Sequence, residues 1–85
     1  MSGFAVLFSA QANKDIQKLT PVLKDKAYQL ITEIIRGNPY CGKILHGELE
    51  GHRSVRLTYQ DRIVYRIDKA NRVVYIKRAR THYGE

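Results

Sequence analysis

The chain has no tryptophan, a single cysteine, a single methionine, two prolines and two phenylalanines among its 85 residues. A lone Cys41 cannot close an internal disulfide, which excludes a stapled secreted scaffold and favours a reducing compartment, the cytoplasm. Long apolar runs are missing too. Phe4 to Phe8 is only strand length and no basic region precedes it, so neither a membrane span nor a signal peptide is expected. The three histidines have no companions at metal-ligand spacing, and neither a metal nor another cofactor is expected. Acid is scarce as well: eight Asp and Glu stand against fifteen Lys and Arg, for a net charge of +7. A hydrophobic content of 44% with 27% charged residues is an ordinary globular balance, and no repeat or linker interrupts it. Residues 1–85 therefore read as one small domain with a modest core.

The positive charge is concentrated in the second half. Residues 52–85 hold nine Lys and Arg against three Asp and Glu, whereas residues 1–51 hold six against five. Successive side chains of a strand point to opposite faces, and three segments here read as strands. In Ser54 to Thr58 the even positions are polar or basic, and in Arg62 to Ile67 the odd residues Ile63, Tyr65 and Ile67 form an apolar face. In Arg72 to His82 the odd set Val73, Tyr75 and Ala79 reads as core, while the even set passes from Val74 and Ile76 to Arg78, Arg80 and His82. Paired as a meander, these strands would place Arg56, Arg62, Arg66, Arg78, Arg80 and His82 on one surface. Such a cationic face is either a solvated sheet surface or a phosphate-binding one.

Upstream, Phe4 to Phe8 reads as a first strand, apolar on both faces and so expected to be covered. Ser9 is placed to cap a helix carrying Ala12, Ile16 and Leu19. Thr20 and Pro21 end it and start a second helix, with Leu23, Ala27, Leu30, Ile31 and Ile34 as its stripe, which stops at Gly37-Asn38-Pro39. Residues 39–51 read as a long connection and Asp68 to Asn71 as a turn. The expected fold is α+β in the order β-α-α-β-β-β: an N-terminal strand, a two-helix hairpin on one sheet face, and an antiparallel three-stranded meander whose other face stays open.

The segment Arg78-Ala79-Arg80-Thr81-His82-Tyr83 places an imidazole and a phenol beside guanidinium groups. Histidine gives and takes protons near neutrality, and arginine grips phosphate through two donors at once. These groups suit metal-independent RNA cleavage, in which a 2′-hydroxyl attacks its neighbouring phosphate. The reaction needs a base for the hydroxyl proton, cations for the phosphorane charge and an acid for the leaving 5′-oxygen. Tyr59 and Tyr83 are placed to stack on bases, whereas Tyr65 and Tyr75, on the apolar parity, read as core.

Ser9 to Leu19, Leu45 to Gly51, Ser54-Val55-Arg56-Leu57, Asp61-Arg62-Ile63-Val64-Tyr65-Arg66-Ile67 and Arg80-Thr81-His82-Tyr83 together resemble the RelE/ParE toxin superfamily, above all its YoeB/Txe branch. The resemblance implies a RelE-like fold and a toxin of a type II toxin–antitoxin pair that enters the A site of a 70S-type ribosome and cuts mRNA. It further implies phosphate binding and transition-state stabilisation by Arg56 and Arg62, general acid catalysis by His82, and RNA contacts by Tyr83 and Arg80. Arg78, Arg66 and Tyr59 join the RNA-binding set by their position. Where the YoeB branch carries a glutamate base, counting back from Gly51 reaches Lys43, with Glu48, Glu50 and His46 nearby; Lys43 or Glu48 is the candidate base. A cognate antitoxin with an acidic segment is the implied partner. A ParE-like gyrase inhibitor and a catalytically decayed RNA-binding module are the alternatives.

Overall fold

In the computed structural model, which describes residues 3–81, the chain turns from strand to helix at Ser9. The Ser9 backbone is extended (φ −70°, ψ 161°) and its hydroxyl accepts the Ala12 N–H, satisfying a donor that the first helical turn leaves unpaired. Strand β1 (Ala5–Phe8) precedes it and helix α1 (Ala10–Gln17) follows. Thr20 repeats the device, its hydroxyl accepting the Leu23 N–H, and Pro21 occupies the first position of α2 (Pro21–Leu30). The helix then widens into a π-helical turn over Ile31–Ile35, closed by the Arg36 N–H donating to the Ile31 carbonyl. Ala27, Ile31 and Ile35 form its buried stripe; Leu23 and Leu30 are half-buried, and the Ile34 side chain lies outside the described set.

Strands β2 (Lys43–Ile44), β3 (His52–Arg56), β4 (Asp61–Asp68) and β5 (Val73–Thr81) complete a five-stranded sheet in the order β1-β5-β4-β3-β2. The expected α+β order and antiparallel meander are present. Two features go beyond the sequence reading: the short β2 lies inside the connection read as loop, and β1 pairs with β5 in parallel, making the sheet mixed. The helices cover one face. Ile16, Ile35, Ile63, Tyr65 and Ile76 are fully buried there, each large side chain contributing about 1.5–3 kcal/mol. Among the described residues no helix is long and apolar enough to cross a membrane.

Strand β5 corrects the parity reading. Tyr65 pairs with Ile76 but Val64 pairs with Arg78, so Lys77 is an extra residue in a β-bulge. The bulge reverses which residues face the helices. Before it the core residues are Val74 and Ile76; beyond it the core residue is Ala79. Val73 and Tyr75, read as core, are half-buried, and Tyr75 stands on the face away from the helices. The first strand is likewise less covered than expected, with Leu7 51% exposed beside Tyr75.

Helix α1 is fastened to this bulged half of β5. The Ser9 N–H donates to the Ile76 carbonyl and the Ser9 hydroxyl to the Lys77 carbonyl. Six residues on, the buried Asp15 carboxylate accepts the Ala79 N–H at 3.0 Å and the Arg78 Nε–H at 2.8 Å. Burial pushes the Asp15 carboxyl up, but the bonds from Arg78, Ala79 and Gln11 outweigh it and hold its pKa below the ordinary 3.8. A depressed carboxyl stabilises the fold above its unfolded pKa and loses that contribution as pH falls through the folded one. Asp15→Asn is expected to cost about 1.5–3 kcal/mol at pH 7. In urea denaturation the gap between variant and wild type should close as pH drops below about 4; a gap independent of pH would contradict the assignment.

Candidate nucleic-acid interface

The face turned away from the helices is built in rows, because paired strands align their residues side by side. One row is Arg56 of β3 and Arg62 of β4, with Arg80 of β5 next in backbone register; the Arg80 side chain lies outside the described set. The next is Lys43, Ser54, Val64 and Arg78. A third, at the other end of the sheet, is His52, Arg66, Tyr75 and Leu7. Val64 and Ser54 are buried at the centre of this face. Long cationic side chains lay their stems on apolar surface while their heads stay in water, and Val64 has Arg62, Arg66 and Arg78 on three sides.

The first row is an electrostatic anomaly. Like charges directly opposite each other across a strand pair are destabilising. Arg56 is exposed, Arg62 is half-buried, and among the described residues neither guanidinium has an acid or a hydrogen-bond acceptor as partner. The turn joining them is held instead by its own groups: the Thr58 hydroxyl accepts the Gln60 and Asp61 N–H and donates to the Asp61 carboxylate. That turn holds out Tyr59, which is 83% exposed, beside the arginine pair.

The remaining sequence candidates divide by position. Arg78 differs from its neighbours because Asp15 neutralises it. Arg66 lies 4.5 Å over the Tyr75 ring. Lys43 is exposed on β2 in register with Ser54, one row from Arg56. Glu48 and Glu50 are exposed in the connection at the His52 end of β3, and His46 opens the turn there. Four strand residues, about 13 Å, separate that end from Arg56. Lys43 and the arginine row are thus brought together, and Glu48 is not. His82 and Tyr83 lie outside the described residues.

The position of Lys43 rests on contacts that the sequence reading did not foresee. The Tyr65 hydroxyl donates to the Pro39 carbonyl, and Arg53 donates to the carbonyls of Tyr40 and Gly42 at 3.1 and 3.2 Å. Burial pushes the Tyr65 pKa up to about 12, so the phenol stays protonated as a donor. Gly42 has no room for a side chain: a Cβ there would stand 2.2 Å from the Tyr65 oxygen and 2.9 Å from the Ser54 carbonyl. The glycine before Lys43 was visible in the sequence, but not the buried phenol against it.

No family model matches the sequence, and no curated protein does. Solved structures do. A chain of the RelBE2 toxin–antitoxin complex from Mycobacterium tuberculosis is 30% identical, with a TM-score of 0.86 over 96% of this chain and 94% of that one. The chain belongs to the RelE/ParE toxin superfamily. Within that superfamily the toxin is also similar to a chain of the YoeB–YefM complex from Staphylococcus aureus, 27% identical with a TM-score of 0.73 over 96% and 100% of the two chains. The YoeB/ParE toxin from Agrobacterium tumefaciens, 24% identical with a TM-score of 0.80 over 93% and 99%, shares the toxin's fold.

Gly42→Ala is expected to destabilise the toxin by about 1–3 kcal/mol through overpacking. Adding Tyr65→Phe removes the nearest obstructing atom, so the double variant should recover part of that loss relative to the sum of the single changes. Strict additivity in a denaturation cycle would contradict the contact.

Proposed function

We propose that this toxin is an endoribonuclease that cuts mRNA in the A site of the ribosome, by attack of a 2′-hydroxyl on the adjacent phosphate without a metal ion. The observation that carries the proposal is the row Arg56, Arg62 and Arg80, in register on three adjacent strands, with Arg56 and Arg62 unpartnered among the described residues. Repulsion within such a row is relieved by an anion that bridges it. A phosphate does so in the ground state, and the phosphorane, with more charge on its equatorial oxygens, does so better. The preference for the more highly charged species is what lowers the barrier.

Proton transfers complete the reaction. His82 follows β5 directly after Thr81, and we assign it the proton for the leaving 5′-oxygen, on the family resemblance. Tyr83 and Arg80, near it in sequence, and Tyr59 on the turn beside the arginine pair orient the RNA by stacking or contact. Lys43, on the same face one row from Arg56, is the favoured candidate for the group that takes the 2′-hydroxyl proton; Glu48 is the alternative. The partner that silences the toxin is an antitoxin whose acidic segment covers the arginine row. Net charge of +7 speeds that association at low salt, and the relatives crystallised as toxin–antitoxin complexes support such a pairing. Both ribosome and antitoxin would be met in the cytoplasm.

Mapping mRNA 3′-ends on ribosomes tests the proposal. Arg62→Ala and Arg56→Ala should each lower cleavage about 10²–10³-fold, the usual effect of removing one transition-state donor. His82→Ala and Lys43→Ala should lower it about 10²–10⁴-fold, with Glu48→Ala close to wild type. Ribosome binding without cut ends in the wild type would overturn the nuclease assignment, and loss of cleavage in Glu48→Ala alone would move the base.

A further inference from the structure

The row at the far end of the same sheet face is unlike the arginine row. His52, Arg66, Tyr75 and Leu7 stand side by side on β3, β4, β5 and β1. Three of the four are planar groups: an imidazole, a guanidinium and a phenol. The Arg66 guanidinium lies 4.5 Å over the Tyr75 ring, and Leu7 beyond it is 51% exposed. His52 Nδ1 is buried with no hydrogen-bond partner among the described residues. A groove of about 430 Å³ runs along the Tyr75 end, lined by Leu7, Ser9, Arg66, Tyr75 and Lys77. Its floor is apolar and its rim carries two cations.

We propose that this row is a stacking platform for a base of the bound RNA, near the nucleotide whose phosphate the arginine row grips. The inference rests on the proposed ribonuclease reading and adds a second RNA subsite to it. Single-stranded RNA is read by laying bases on aromatic rings and guanidinium planes. An apolar floor with planar walls suits the face of a base, and the Arg66 and Lys77 rim suits its backbone phosphate. The two rows share one continuous face and lie about 13 Å apart along β4, a span that a short run of nucleotides bridges. Among the described residues no acid or side-chain amide lines this part of the groove, so the platform favours a base by its π-face and discriminates little among base edges. An acidic peptide also matches a cationic rim, but it makes no use of three planar groups in register, and continuity with the arginine row favours RNA.

The test uses the full chain and a short single-stranded RNA carrying one 2′-deoxy nucleotide at the cleavage position, compared with copies in which each neighbouring nucleotide in turn is abasic. In fluorescence anisotropy, one abasic position should weaken binding to the wild type roughly 5- to 150-fold, the usual weight of one stacked base. Tyr75→Leu keeps the apolar floor without the ring. It should show a comparable loss with the intact RNA, little further loss at that abasic position, and the wild-type salt dependence. Its fold is checked by a thermal melt, and Arg66→Gln provides a second variant with the same expectation apart from a shallower salt dependence. If no abasic position separates wild type from Tyr75→Leu while Arg62→Gln still weakens RNA binding, the platform is wrong and the phosphate grip survives. Tyr75→Leu that weakens binding of an acidic antitoxin peptide but not of RNA would also overturn it, reassigning the row to a protein partner. Indifference of RNA binding to Arg62→Gln as well would remove both readings.

Discussion

Which side of this sheet carries charge is decided by one extra residue in β5 and the helix that holds it in place. Without the bulge at Lys77, a strand that buries Val74 and Ile76 would also send Arg78 and Arg80 toward the helices. Arginines in that core would carry a large desolvation cost. With the bulge, Ala79 fills the core position and Arg78 stands beside Val64 on the opposite face. Helix α1 secures the arrangement at two points, through Ser9 on the Lys77 carbonyl and Asp15 on the Ala79 N–H. The same carboxylate takes the Arg78 charge, while Arg56 and Arg62 have no acid partner among the described residues.

The consequence is a surface arranged against its own stability. Arg56 and Arg62 directly oppose each other on paired strands, with Arg80 next in register, a disposition that repels in the free protein and is relieved when an anion enters. A solvated face would serve equally well with its cations staggered or paired with acids. Conflict of this kind between local rule and structure is expected where function is built. The supporting parts of the molecule are conventional: capped helices, a buried isoleucine-rich core, and a connection pinned by Tyr65 and Arg53 so that Lys43 joins the face at its edge.

Much of this was legible from residue order. Ser9 and Thr20 marked both helix starts because capping is a local interaction, and alternation in residues 62–67 placed Ile63 and Tyr65 in the core and Arg62 and Arg66 outside. Strand β5 was legible only in part. Its apolar residues change from even to odd numbering between Ile76 and Ala79, the trace that a bulge leaves in a sequence, but a uniform parity assigned Tyr75 to the core. The parallel pairing of β1 and the two-residue β2 depend on contacts between segments far apart in the chain and have no local signature. The Asp15 clamp is hidden for the same reason, since 63 residues separate it from Arg78. The arginine pair was correctly placed because the meander that joins its strands is local.

The salt dependence of RNA binding tests the arginine row most directly. With a short single-stranded RNA that cannot be cleaved, the slope of log affinity against log salt should become shallower by about 0.7 for each phosphate that the protein no longer neutralises. That change is expected in Arg56→Gln and in Arg62→Gln, and is not expected in Arg36→Gln, at the end of the π-helical turn. Equal changes in all three variants, or none in the first two, would contradict a phosphate held by the row.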